Sequence, residues 1–172
     1  MNLCDMRLPR QLEADNSAEN IRRVLMARTI KIWPEGELDI PVITLGGRLQ
    51  KALQKARLQR RIRLGYEEIF AKLAAEKKGI SLIRQQASSA AADRISRLLF
   101  FSNDGAERFY RNIEQTLLEH APRLLGCQLD IDGAALGELI TGRNGIIKII
   151  MIEHKDAVSD VLRTLVEDSN HQ

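Results

Sequence analysis

Seven cations and no carboxylate lie in the 16 residues from Arg48 to Arg63: Arg48, Lys51, Lys55, Arg57, Arg60, Arg61 and Arg63. Cations at that density suit one chemistry above others, the neutralisation of a phosphate backbone with release of its condensed counterions. A second set follows at Lys77, Lys78 and Arg84, and a third cationic turn is Gly142-Arg143-Asn144-Gly145. Nucleophilic and metal chemistry have less to work with. Cys4 and Cys127 lie far apart with no partner at metal-ligand or disulfide-framework spacing, and His120, His154 and His171 are not spaced as ligands. No glycine loop precedes a lysine and a hydroxyl residue, so nucleotide hydrolysis has no anchor. Aromatic residues are 4% of the chain, and Phe70, Phe100, Phe101 and Phe109 fall at core-like spacing, which leaves no platform on which single-stranded bases would stack. These patterns describe a binding protein, not an enzyme, and call for no cofactor and no metal.

The cations must be carried by regular elements, and the pattern names them. Arg48–Leu64 contains only good helix formers, with Leu49, Ala52, Leu53 and Ala56 on one face, so a basic amphipathic helix is expected there. Ahead of it, Thr29–Ile32 and Leu38–Ile43 flank the turn Trp33-Pro34-Glu35-Gly36 and read as a small hairpin. Residues 1–20 are polar and aperiodic and are expected to be disordered or loosely packed, with Asp15-Asn16-Ser17 offering a helix cap at most. Gly65, where the charge block ends and Tyr66-Glu67-Glu68 begins, is the expected boundary between a small basic α+β segment, 1–64, and a larger domain, 65–172.

Beyond Gly65 the apolar runs Leu98–Phe101, Leu124–Leu129, Leu136–Ile140 and Ile146–Ile152 are separated by charged helical stretches and turn residues. The expected order is helix 66–78, helix 81–92, strand 97–102, helix 105–120, strand 124–129, helix 133–141, strand 146–152 and helix 155–167. Strand, helix, strand units of this length give a mainly parallel sheet with helices on both faces, so the fold class is α/β, a three-layer α/β/α domain. At 172 residues and 44% hydrophobic content the chain can bury a real core, and no apolar run approaches the roughly 20 residues a membrane span needs. A reducing cytoplasm is the expected compartment.

Three resemblances follow from these motifs. The run Leu136-Gly137-Glu138-Leu139-Ile140-Thr141-Gly142-Arg143-Asn144-Gly145-Ile146-Ile147-Lys148-Ile149-Ile150 resembles the closing segment of small bacterial YlxQ-type proteins, of the superfamily of archaeal kink-turn-binding ribosomal proteins. Lys77-Lys78-Gly79 followed by a helix, then Leu98-Leu99-Phe100-Phe101-Ser102-Asn103-Asp104-Gly105, looks like that superfamily's glycine-opened RNA-facing helix and central strand, over residues 66–167 in all. In RNA-reading members an asparagine-glutamate pair and a lysine follow the glycine; here Ser81, Leu82 and Gln85 stand there, with Arg84 nearby, so the resemblance implies phosphate contacts from Ser81 and Arg84 without kink-turn specificity. Ile21-Arg22-Arg23-Val24-Leu25 and Leu49–Leu58 resemble the first strand and closing basic helix of a YlxR-type domain, whose glycine-arginine-glycine signature is missing apart from Gly46-Gly47-Arg48. Asp130-Ile131-Asp132-Gly133 resembles the Asp-x-Asp-Gly opening of haloacid-dehalogenase-type phosphatases, where the two carboxylates act as nucleophile and general acid and hold magnesium. Only about 40 residues follow it, too few for the rest of that site, and a helix N-cap at Asp132 is the simpler reading.

The expected function is non-catalytic binding of structured RNA, ribosomal or other non-coding, through phosphate contacts. The residues expected to carry it are Lys51, Lys55, Arg57, Arg60, Arg61 and Arg63, then Lys77, Lys78, Gly79, Ser81 and Arg84, then Arg143 and Asn144. The partner would be that RNA, with the ribosome or another protein beside it, and no membrane. The alternative is a protein-interaction adaptor working through a helix face or sheet edge.

Overall fold

Leu98, Leu99, Phe100 and Phe101 are all buried, which a strand achieves only when both of its faces are covered. The structure, a computed structural model, describes residues 2–86 and 94–171 and supplies that cover. Among these residues the order is α1 (Arg10–Ala14), α2 (Ala18–Ala27), β1 (Thr29–Ile30), β2 (Ile40–Ile43), α3 (Gly47–Leu58), β3 (Ile62–Leu64), α4 (Tyr66–Gln86), β4 (Arg97–Phe101), α5 (Glu107–Glu119), β5 (Leu124–Leu129), α6 (Gly133–Thr141), β6 (Ile149–Ile152) and α7 (Lys155–Ser169).

The strands form one sheet in the order β1-β2-β5-β4-β6-β3. Its central strands β2, β5 and β4 are parallel, while β1, β6 and β3 join antiparallel. One face carries Leu98, Phe100, Leu125, Cys127, Ile150 and Ile152 against α2, α3, α6 and α7. The other carries Leu99, Phe101, Leu124, Ile149 and Met151 against Ile69 and Leu73 of α4 and Ile113 and Leu117 of α5. The three-layer α/β/α expectation holds, and so does the hairpin, with Thr29 opposite Pro41 and Ile30 opposite Ile40.

Several expectations are corrected. Residues 3–20 are ordered onto the core: Leu3, Met6, Leu8 and Leu12 are buried, and only tertiary contacts reveal so sparse a pattern. Ile21–Leu25, likened to a strand, lies in α2, where Ile21 and Leu25 are one turn apart on the buried face. The basic helix stops at Leu58, and Ile62–Leu64 leave it to pair with β6. Residues 66–86 form one helix running through Gly79, so no helix opens there; residues 87–92 of the helix expected over 81–92 lie outside the described residues. β6 returns antiparallel, because the loop after α6 brings the chain back to the end of the sheet at which α6 began. Strands β2 and β3 precede Gly65 yet share the sheet with β4, β5 and β6, so residues 1–64 are built into the same layers.

Two close approaches fix the helices on the first face. Gly46, the N-cap of α3, has no side chain to offer, and Asp168 of α7 takes that role by accepting from Arg48 N at 3.1 Å and Leu49 N at 2.9 Å. A Cβ on Gly46 would run into Asp168. On α6, Gly137 lets the backbone of Gly145 lie directly against the helix, and any side chain there would strike that carbonyl oxygen.

Candidate nucleic-acid interface

The strand registers bring the basic elements to one end of the sheet. Ile62 is opposite Ile152, Ile152 opposite Leu98, and Leu98 opposite Leu125, making one row across four strands. In the next row outward, Glu153 N donates to Arg61 O, and Ser96 N and Arg97 N both donate to Arg123 O. Arg61, Arg97 and Arg123 therefore mark the same edge. Glu76 of α4 meets that edge by accepting from Arg97 Nη2 at 2.8 Å and Nε at 3.2 Å, and residues 77–86 continue the helix about 15 Å past it.

Above this edge, α3 ends in a two-bond turn: Arg61 N donates to Ala56 O at 2.8 Å and Arg60 N to Arg57 O at 3.0 Å. The turn needs a left-handed residue, and Arg60 fills it at φ 58, where glycine or asparagine is the usual occupant. The strained geometry holds an exposed arginine at the tip, between exposed Arg57 and half-buried Arg61. Lys77 and Lys78 are exposed on the projecting part of α4, as is Arg84 in its last turn.

The remaining expected contacts are placed differently. Lys51 and Lys55 lie on the groove between α3 and α7, and Lys55 faces Asp160 at 3.7 Å. Arg63 is turned inward onto Glu153 at 2.8 Å, with Glu68 at 3.7 Å; the Glu153 hydrogen bond raises its pKa and occupies its guanidinium. Gly79 is mid-helix, and the Ser81 hydroxyl donates to Lys77 O at 3.0 Å, so neither forms the expected helix N-terminus. Arg143 and Asn144 are exposed on the loop after α6, in the layer opposite α4. The juncture of strand, glycine and helix occurs instead at β3, Gly65 (φ 88) and α4, where Tyr66, Glu67 and Glu68 follow the glycine.

Sequence reasoning missed Arg97, Arg123 and Glu76. Their signal was present but slight: each arginine is the last charged residue before an apolar run, at the start of β4 and β5. Burial, then the neighbouring Arg97, lowers the pKa of Arg123. His120 lies beside this group, its pKa lowered by burial first and by Lys77 second.

The enzyme-like residues have structural roles. Asp132 caps α6 by accepting from Ala135 N at 2.8 Å, and Asp130 is held by Arg28 at 3.0 Å and Asn103 at 3.3 Å. His154 caps α7, its Nδ1 accepting from Asp156 N at 3.2 Å. Among the described residues no group of three or more His, Cys, Asp or Glu side chains could hold a metal ion. Burial pushes the Cys127 thiol far up in pKa. Phe100 and Phe101 are buried, and Phe70 packs on Tyr66 with ring centroids 3.9 Å apart. Among the described residues no helix is long and apolar enough to cross a membrane.

The fold thus defines a three-layer α/β/α protein with a cationic sheet end. No protein-family description matches the chain, and no curated protein matches it significantly. Among solved structures it is similar to a protein of unknown function from Bacillus halodurans C, at 11% identity and a TM-score of 0.50, over 71% of this chain and 99% of that one. That likeness concerns the fold alone.

Proposed function

We propose that this chain binds structured RNA, ribosomal or other non-coding, in the cytoplasm and without catalysing a reaction on it. The observation that carries the reading is that two cationic elements, the α3–β3 turn with Arg57, Arg60 and Arg61 and the projecting part of α4 with Lys77 and Lys78, lie at the same end of the sheet, α3 over one face and α4 over the other. The opposite end, where β4 and β5 finish, carries Asp104, Asp130 and Asp132 against Arg28 and Lys148, a balance less favourable to a phosphate backbone. Reading of kinked RNA is not part of the proposal, since Gly79 opens no helix and Gly65 is followed by two glutamates. The same proposal takes in kinship with the bacterial YlxQ-type proteins, whose closing segment the run Leu136–Ile150 resembles.

Changing Arg57, Arg60, Arg61, Lys77 and Lys78 together to Gln should weaken binding to all RNAs alike and flatten the salt dependence by up to about four counterions. Failure of the wild-type chain to shift total cellular RNA at low salt overturns the reading. A second reading has one observation of its own: Leu82 and Ile83 on the projecting turns of α4 are 52% and 61% exposed, an apolar pair suited to a protein groove. In that case the wild-type chain shifts no RNA at low salt, and Leu82→Ser with Ile83→Ser abolishes partner binding.

A further inference from the structure

The row of residues where β4 and β5 begin holds more cationic charge than its own carboxylates balance. Lys72 Nζ is 3.8 Å from Glu76, Arg97 Nη2 2.8 Å and Arg123 Nη2 3.9 Å, while Lys77 and Glu119 bear on the neighbouring His120. Among the described residues four cations thus face two carboxylates.

Arg97 and Arg123 are not equivalent. Arg97 spends Nε and Nη2 on Glu76 Oε1 and Nη1 on Ser96 O. Arg123 is fixed through its backbone, whose carbonyl accepts from both Ser96 N and Arg97 N, yet among the described residues its guanidinium donates no hydrogen bond. Its nearest carboxylate oxygen, Glu76 Oε2, lies beyond hydrogen-bond distance at 3.9 Å, although the side chain is only 23% exposed. A planar fork of five N–H donors, carried on a side chain three-quarters removed from solvent and hydrogen-bonded to no acceptor among the described residues, matches the tetrahedral oxygens of a phosphate group, which it can grip with two parallel bonds.

We propose that Arg123, with Arg97 next to it and Lys77 near the adjoining His120, forms a discrete phosphate-binding site at this end of the sheet. Arg97 and Lys72 offset the charge of Glu76 at Oε1, while its buried Oε2 accepts no hydrogen bond among the described residues; Arg123 supplies the bidentate grip. Glu76 is accordingly a positioning residue. The phosphate belongs either to a free phosphomonoester or to the RNA of the proposed function; in the second case the site deepens that reading and rests on it.

His120 provides a local reporter in the full-length chain. Inorganic phosphate is titrated against chloride at matched ionic strength while the imidazole resonances of His120, His154 and His171 are followed by NMR, with His120→Gln giving the assignment. Saturable movement of the His120 signal, with its pKa raised by the arriving anion and the other two unmoved, is the expected result. Arg123→Gln should weaken the response at least tenfold, Arg123→Lys should recover part of it, and Arg23→Gln, an exposed cation of α2, should leave it intact. Circular dichroism confirms that each variant is folded. No saturation in the wild type, or a response unaltered in folded Arg123→Gln, overturns the site. One RNA prepared with a 5′-monophosphate and with a 5′-hydroxyl identifies the source: displacement of inorganic phosphate by the first alone assigns a terminal phosphate, and by both a backbone phosphodiester. If neither displaces it, the site takes a free phosphomonoester. RNA binding with no phosphate response would sink the site and leave the RNA reading standing; a phosphate response with no RNA binding would do the reverse.

Discussion

Glu114→Gln tests how the strap between β1 and β2 is held. Glu114 is a buried carboxylate on α5: Oε2 accepts from Trp33 Nε1 at 2.7 Å, and Oε1 accepts from the backbone N–H groups of Glu37 at 2.9 Å and Leu38 at 2.8 Å. Glutamine fills the same volume but has one acceptor oxygen. Its best orientation keeps the two backbone bonds and turns the amide NH2 against the indole N–H, donor to donor. One hydrogen bond to a charged acceptor is lost outright, a loss of about 1.5–3 kcal/mol, and the other two drop to neutral strength. A total near 3 kcal/mol follows, which for a chain of this length lowers Tm by roughly 6–12 °C. Trp33 is the single tryptophan, so its emission during urea unfolding reports on the strap itself. The partner control is Trp33→Phe, followed by circular dichroism: without the indole donor, Glu114→Gln should cost markedly less, giving a coupling of at least about 1 kcal/mol. A Glu114→Gln variant as stable as wild type, or one whose cost is the same in the Trp33→Phe background, would refute this account of the strap.

Gly137→Ala should destabilise by about 1–3 kcal/mol through overpacking, because the methyl group meets the Gly145 carbonyl, and amide exchange should rise first in residues 143–147. Arg60→Gly should move two observables in opposite directions: relief of the left-handed strain, less the added unfolded-state entropy, raises stability by up to about 1 kcal/mol, while RNA affinity falls. Asp15, held by Ser17 N and Arg163, has a pKa lowered to about 2, and Asp104 and Asp130 are also depressed. Their stabilisation is present above the ordinary carboxylate range and is lost as pH falls from about 4 towards 2, so Asp15→Asn should show a shallower acid limb in a stability profile against pH.

The middle of the fold was legible because its signals are local. Leu124–Leu129 and Gly133–Thr141 appear in the structure with the bounds expected of them, since an unbroken apolar run ended by Asp130-Ile131-Asp132 admits few alternatives. What stayed hidden depends on distant partners. Ile62–Leu64 are three residues at the tail of a helical pattern, and only pairing with Ile150–Ile152 makes them a strand. Gly79 looked like a break because glycine weakens a helix by about 1 kcal/mol, an amount a 21-residue helix tolerates. Of the candidate site, the cations of α3 were visible as a charge run, but Arg63 is spent on Glu153, ninety residues away, and Arg123 gains its character from a strand register no sequence window contains.

Asp168 gives the molecule an order of assembly. The helix bearing most of the charge run occupies residues 47–58, yet the carboxylate that completes its first turn is made more than a hundred residues later. A nascent chain can form α3 only as a fraying helix until α7 emerges and docks, so the basic surface matures last although it is synthesised early. Loss of a few residues from the end of α7 would therefore be felt at α3, while the central strands, whose partners are all in place by Ile152, would still pair.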